Sequence, residues 1–246
     1  MRFLILSDIH ANLEALNAVV WDAAPRCYQA VLCLGDIVGY GPNPNEVTSW
    51  IRDHADVVIR GNHDKACSGV DSYASFNPVA QYSSLWTKEE LLAEHAEWLI
   101  NLNRGPVLVE EFNLVHGAPD DEDRYMFYEH EAERGFAYAY EPLTFFGHTH
   151  VQGGFIGEPC RRSFEVSRLH MFPSQIAILT DRSYLLNPGA VGQPRDGDVR
   201  AAYCIYDSSL RVVEFCRVAY DIRTVQEKIL GKGLPQELAY RLASGD

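Results

Sequence analysis

The chain opens with an apolar run, Phe3 to Leu6, that stops at Ser7-Asp8. A short continuous run bounded by polar residues predicts a strand buried on both faces. Leu13, Leu16, Val19 and Val20 then recur at helical spacing, with Asn12 placed to cap the helix and Asp22 to Pro25 closing it. The cycle repeats. Val31 to Leu34 predicts a second strand, stopping at Gly35-Asp36. Asn45 to His54 predicts a second helix with Val47, Trp50 and Ile51 on one face, and Val57 to Ile59 a third strand stopping at Gly61-Asn62. The first quarter of the chain therefore predicts β-α-β-α-β. Each strand delivers polar residues at its C-terminal end, where open α/β sheets place their ligands.

Residues 65–105 change character. Ser, Tyr and Asn give way to a predicted helix from Lys88 to Leu102, with Leu91, Leu92, His95, Trp98 and Leu99 on its apolar side. This segment reads as a helical insertion beside the site. Val107 to Val109 and Leu114-Val115 follow, the latter ending at His116-Gly117. Asp120 to Glu133 reads as loop plus short helix, and Leu143 to Phe146 runs into Gly147-His148. Further on, residues 175–179 and 184–186 flank a turn at Thr180 to Ser183 as a hairpin. Residues 201–206 and 210–218 flank Asp207 to Ser209 as another. These predict a second sheet packed on the first, in one domain spanning 1–246. The tail from Ile222 to Leu242 is helical, divided at Gly231 and Gly233.

Composition narrows the classes. At 246 residues, 47% hydrophobic and 22% charged, the chain can bury a substantial core. The 21 basic against 34 acidic residues leave a net charge of −13. That balance argues against long nucleic acid and against anionic membrane as partners. A small anionic substrate needs local positive charge, which bound metals would supply. None of the six cysteines forms C-x-x-C, so a cysteine zinc site is not indicated. Cys33 and Cys204 lie in apolar runs and are expected in the core, as are Trp21, Trp50 and Trp98 on apolar helical faces. The opening apolar run is too short for a signal peptide or a membrane span, so a cytoplasmic protein is expected.

Candidate chemistry sits at the ends of the predicted strands: Asp8-Ile9-His10, Gly35-Asp36, Gly61-Asn62-His63-Asp64, His116-Gly117 and Gly147-His148-Thr149-His150. Imidazoles, carboxylates and one amide suit hard-to-borderline divalent metals. Asp8 and His10, like His148 and His150, are two apart and can turn toward one centre. Asp36, with two oxygens, is the natural bridge between two cations, and Asn62 offers an amide oxygen. Two metals roughly 3.5–4 Å apart hold the attacking and leaving oxygens of an in-line displacement at phosphorus, with a metal-bound hydroxide as nucleophile. His63 follows Asn62 directly, at the rim, where it can bind the phosphoryl group or protonate the leaving oxygen. His54, His95, His130 and His170 read as ordinary surface or core histidines.

The motifs D-x-H, G-D, G-N-H-D, H-G and G-H-T-H, in this order over residues 3–150, resemble the calcineurin-like metallophosphoesterase superfamily. The run Leu186-Asn187-Pro188-Gly189-Ala190-Val191-Gly192-Gln193-Pro194-Arg195 is similar to the N-P-G-S-x-x-x-P-R run of its small bacterial phosphodiesterase-like branch, with Ala190 where Ser is common. The resemblance implies an α/β fold, a four-layer α/β/β/α sandwich of two packed mixed sheets. It implies one metal on Asp8, His10, Asp36 and His150, and another on Asp36, Asn62, His116 and His148. His63 becomes the acid or phosphate-binding group, and manganese, iron, zinc or nickel the occupants.

One departure is informative. Protein Ser/Thr phosphatases and symmetrical dinucleoside tetraphosphatases carry a second Asp and an Arg shortly after the bridging Asp. Here the run is Gly35-Asp36-Ile37-Val38-Gly39-Tyr40-Gly41-Pro42, and both are missing. The expected function is a dinuclear metal-dependent phosphoesterase acting on phosphodiester or nucleotide-type substrates. An asymmetrical dinucleoside polyphosphate hydrolase or a phosphomonoesterase is the alternative, and a non-catalytic scaffold of the same fold the remote one. Arg195 is a candidate phosphate clamp, because its fork matches phosphate oxygens. Tyr40 is a candidate pocket wall, and so is Asn12 beside its capping role.

Overall fold

In a computed structural model, described for all residues except 162 and 170–173, β1 (Arg2–Leu6) sits at the centre of the first sheet. Its alternating side chains face two cores. Phe3 and Ile5 point to one, Leu4 and Leu6 to the other. The chain continues through α1 (Leu13–Ala23), β2 (Ala30–Cys33), α2 (Pro44–His54), β3 (Val57–Val58) and α3 (Asn62–Ser68). β1, β2 and β3 are parallel, as the opening pattern predicts. Ile59 falls just outside β3 and bridges to Asn103 instead.

The expected helix from Lys88 to Leu102 is two helices, α4 (Pro78–Glu90) and α5 (Ala93–Ile100). Leu91 and Leu92 are extended between them. The reason is Asn45 of α2. Its Nδ2 donates to the Glu90 carbonyl, and its Oδ1 accepts from the Leu92 amide and contacts His95 Nδ1. One side chain therefore satisfies the backbone groups that the break frees.

The second sheet begins with β4 (Val107–Val109) and β5 (Phe112–Leu114), followed by α6 (Glu129–Tyr138) and β6 (Leu143–Phe145). A long hairpin, β7 (Gly153–Cys160) with β8 (Ser163–Arg168), completes its far edge. β9 (Gln175–Ala177) and β10 (Ser183–Asn187) do not form the expected hairpin. β9 pairs with a strand of the first sheet, and β10 runs between β6 and β7 in the second. Ile176, Ile178 and Tyr184 all pack into the core between the sheets, so burial carries the chain across rather than back. β11 (Ala201–Asp207) and β12 (Val212–Val218) do form the expected hairpin, but they join β1 in the first sheet. The orders are β3-β2-β1-β11-β12-β9 and β4-β5-β6-β10-β7-β8. The second sheet is therefore built mainly from the middle of the chain, not from its later hairpins.

The layers follow from the cores. Helices α1, α2 and α5 cover the outer face of the first sheet through Leu16, Val19, Val47, Ile51 and Leu99. Phe112, Leu114, Phe145 and Leu186 meet Phe3, Ile5 and Leu32 between the sheets. α6 covers the second sheet with Ala132 and Phe136. This is the α/β/β/α sandwich. The tail forms α7 (Ile222–Gly231) and α8 (Gln236–Ser244), parted at Gly231 to Gly233 as expected. With α4 they enclose Tyr40. Among the described residues no helix is long and apolar enough to cross a membrane.

Cys33 and Cys204 are buried thiols, as expected. Trp50 and Trp98 pack against the first core, but Trp21 is 81% exposed and corrects the core expectation. On α1 the buried positions are Ala15, Leu16, Val19 and Ala23, and Trp21 lies off that stripe. The contrast is measurable. Phe145→Ala, at the centre of the inter-sheet core, should cost about 3–5 kcal/mol in urea unfolding, whereas Trp21→Ala should shift it by less than about 0.5 kcal/mol.

Candidate metal centre

The C-terminal ends of strands from both sheets meet at one edge. Asp8 and His10 follow β1, Asp36 follows β2, and Asn62 opens α3 beyond β3. His116 follows β5, and His148 and His150 follow β6. Every one of these residues but Asn62 is buried. Asp8, His10, its neighbour Ala11, Asp36, Tyr40, His148 and His150 all have positive φ, between 47° and 66°. Such left-handed backbone costs on the order of 1–3 kcal/mol at a non-glycine residue and persists only where surroundings impose it.

Two groups of ligand-type atoms result. Asp8, His10, Asp36 and His150 present atoms within 4.8 Å of one another, and so do Asp36, His116 and His148. Asp36 belongs to both, with Oδ2 3.6 Å from His10 Nε2 and 3.4 Å from His116 Nε2. Asn62 Oδ1 lies 3.2 Å from His116 Nε2. The structure thus brings together all seven residues expected as ligands.

The imidazoles show what the centre is made for. His10 Nδ1 faces the Val38 carbonyl at 3.1 Å and His150 Nδ1 the Gln193 carbonyl at 2.6 Å. A carbonyl only accepts, so both Nδ1 atoms carry the proton. Their Nε2 atoms then face each other at 3.1 Å with lone pairs. The second pair has the same geometry. His116 Nδ1 donates to Leu34 O at 2.8 Å and His148 Nε2 to Asp123 O at 3.0 Å, leaving His116 Nε2 and His148 Nδ1 opposed at 3.1 Å. Opposed ring nitrogens beside carboxylates, each imidazole oriented by a backbone acceptor, are the arrangement a divalent cation satisfies once any proton between them is displaced. The donor set fits such ions.

Charge agrees. Burial disfavours the cationic form of His10, His148 and His150 and holds all three below the usual imidazole value, His148 at about 3. Burial also opposes charge on His116, but Asp36 outweighs it and lifts His116 to about 10. Burial pushes Asp8 and Asp36 upward, yet His150 beside Asp8 and His116 beside Asp36 hold both carboxylates low. Asp8 is further held by Ser7 Oγ at 2.6 Å and the His148 amide at 3.0 Å, and Asp36 Oδ1 by the His63 amide at 2.8 Å.

A family model for the calcineurin-like phosphoesterase superfamily domain matches residues 1–210. The chain belongs to that superfamily. It is 38% identical over 249 residues to an uncharacterized protein of Methanocaldococcus jannaschii, covering 98% of this chain and 97% of that one. A metallophosphoesterase of Sphaerobacter thermophilus has the same fold at a TM-score of 0.85, with 39% identity over 100% of this chain and 99% of that one. A hypothetical protein of Pyrococcus horikoshii superposes at 0.77, with 20% identity over 100% of this chain and 98% of that one.

Within this phosphoesterase the missing acid and Arg have visible consequences. Gly39 stands where a second Asp is absent, with φ +87°, and a Cβ there would lie 2.5 Å from His63 Nδ1. That Nδ1 is buried without a hydrogen-bond partner. Rings hold His63 instead: Tyr40 at 4.4 Å, Phe76 at 4.7 Å and His10 at 5.0 Å between centroids. Arg195 lies with its guanidinium 5.6 Å from the centre of the Tyr40 ring, and Gln193 Oε1 accepts from its Nη2 at 2.7 Å. Asn12 is a cap, accepting from Ala15 N and donating to Gly192 O.

Asp64 is a residue whose role sequence reasoning missed, although it closes the G-N-H-D motif. Its Oδ1 accepts from the Ile37 and Val38 amides at 2.9 and 3.2 Å, and its Oδ2 from Gly61 N at 2.9 Å. It ties the Asp36 loop to the Asn62 loop. Burial, then Asp36, raises it to about 7. His54 and His130 are exposed, His95 binds Asn45 and Ser49, and His170 lies outside the described residues.

A pH dependence follows. Without a cation His116 keeps a proton, its value raised from 6.5 to about 10. A value raised on folding contributes stability below 6.5 that is lost as pH climbs toward 10. Asp64 acts in the same sense but is spent by about pH 7. Metal-free protein should therefore lose on the order of a few kcal/mol between pH 7 and 9, read by urea unfolding. His116→Gln should flatten the slope. A slope equal in both proteins would contradict the assignment.

Proposed function

We propose that the chain is a dinuclear metal-dependent phosphoesterase that hydrolyses phosphodiester or nucleotide-type substrates. The observation that carries this reading is the two pairs of opposed imidazole nitrogens, His10 with His150 and His116 with His148, around Asp8 and Asp36. One cation falls to Asp8, His10, Asp36 and His150, the other to Asp36, Asn62, His116 and His148, with manganese, iron, zinc or nickel as suitable ions. Bound there, they supply Lewis acidity that offsets phosphoryl charge and brings water toward ionisation near neutral pH.

The chain's own residues do the rest. His63 stands at the rim as an uncharged imidazole, burial holding it at about 4, and donates its N–H to a phosphoryl or leaving oxygen. Arg195 offers a guanidinium fork to the phosphoryl group, and Tyr40 and Asn62 line the substrate side. The preference for diesters rests on Tyr40 standing where an Arg is absent. A monoester carries more negative charge than a diester and asks for more cations than this rim supplies. The chain works as a single domain, 1–246, with 65–105 as an insertion beside the site. A cytoplasmic setting is supported by its free cysteines, four of them buried.

The test is a pair of measurements on His63→Asn. Metal content by elemental analysis should match the unaltered protein, while kcat on bis-p-nitrophenyl phosphate should fall about 10²–10⁴-fold. Turnover at the original rate would remove His63 from the mechanism. Activity confined to p-nitrophenyl phosphate would overturn the diester preference.

A further inference from the structure

Beside the metal centre lies a cavity of about 290 Å³. Its inner end is formed by Asn62, His63 and His148, so an occupant touches the reacting centre. Its outer walls come from residues 71–77, ahead of α4, and from the loop that carries Asp123 and Tyr125.

Its chemistry is distinctive. Tyr40, Phe76 and Tyr125 present aromatic surface, with Ser72, Ser75 and Asn77 supplying small polar groups. The charged side chains in its wall are Asp71 and Asp123, and no Lys or Arg lines it among the described residues. Both carboxylates lean on Lys65, at 3.8 and 2.6 Å from Nζ, whose side chain is only 5% exposed. They are thus partly neutralised and do not make the cavity a trap for cations. Arg195 stacks on Tyr40 and is not among the lining residues. Positive charge is therefore concentrated at the phosphoryl position, and the space beyond it is aromatic, hydrogen-bonding and mildly acidic.

A second phosphate in this space would face two carboxylates only partly neutralised by Lys65 and no cation in the cavity wall, which a binding site for polyphosphate avoids. A nucleobase finds the opposite: ring faces to pack on, and acceptors and hydroxyls for its N–H groups and for a sugar. The volume lies just below the roughly 300–1,000 Å³ of small-molecule sites, which admits one base and its sugar rather than a dinucleotide. Resting on the phosphoesterase reading above, we infer that this cavity is the leaving-group subsite, and that it takes the uncharged nucleoside of a phosphodiester. In the step it serves, a water oxygen bonds to phosphorus and the bond from phosphorus to the nucleoside oxygen breaks. The nucleoside leaves with a proton, and the phosphomonoester remains.

Adenosine is the probe. It should bind the unaltered protein by calorimetry and inhibit hydrolysis of methyl p-nitrophenyl phosphate competitively. Ser75→Trp, filling the cavity from an exposed position, should weaken adenosine at least tenfold. It should also lower the ratio of kcat/KM for adenylyl-3′,5′-adenosine to that for methyl p-nitrophenyl phosphate at least tenfold. Absence of adenosine binding to the unaltered protein, with methyl p-nitrophenyl phosphate still hydrolysed, would overturn the subsite and leave the phosphoesterase reading standing. No hydrolysis of either diester with any of the four metals would overturn that reading instead. Preference for diadenosine tetraphosphate over adenylyl-3′,5′-adenosine would overturn the choice of an uncharged nucleoside as leaving group.

Discussion

Two carboxylates, Asp8 and Asp36, sit at 0% and 1% exposure, and the rest of the structure is arranged around the positive charge they require. A buried carboxylate without compensation is among the costliest groups a protein can hold. Here amide and hydroxyl donors take some oxygens, and imidazoles face the others. Those imidazoles cannot neutralise one another. Each has its outer nitrogen committed to a backbone carbonyl, so two pairs of inner nitrogens remain opposed. The strained backbone at the strand ends exists to aim these groups, and the packed sheets behind them hold the strain.

The sandwich itself sets the spacing. The first sheet contributes Asp8, His10, Asp36 and Asn62, and the second contributes His116, His148 and His150. The centre is therefore assembled across the inter-sheet core, where Phe112 packs edge to face with Phe145 and Tyr206, and those two rings tilt against each other, at 5.2 to 5.7 Å. Asp64 and the Gly147 amide bonded to His116 O are the local ties that keep neighbouring loops in step. The position of a ligand in one sheet relative to a ligand in the other is a property of that aromatic core as much as of the loops.

The ligand-type residues were legible because the chemistry needs particular side chains at strand ends, and apolar runs mark strand ends well. The parallel β1-β2-β3 unit was legible for the same reason. What escaped is tertiary. Asn45 divides α4 from α5 from another helix, and no local pattern around Leu91 announces it. β9 and β10 look like a hairpin because both alternate across a polar turn. Only the shared burial of Ile176, Ile178 and Tyr184 between the sheets sends them to different partners. Trp21 shows the limit of reading an aromatic as core, since the buried stripe of α1 runs beside it. Asp64 was visible within its motif, but its work is done on backbone amides far along the chain, which spacing does not reveal.

The rim distinguishes this phosphoesterase from phosphatases that carry an acid and an Arg after the bridging Asp. Gly39 leaves His63 Nδ1 without a partner, and aromatic rings take over its placement. Tyr40 contacts that imidazole, Arg195 and the C-terminal helices together. All of this has meaning only if the centre holds a pair of cations. The most direct measurement is anomalous diffraction from crystals grown with manganese. The account predicts two peaks, both adjoining Asp36, one beside His10 and His150 and the other beside His116 and His148. A single peak away from Asp36, or none at saturating manganese, would contradict it.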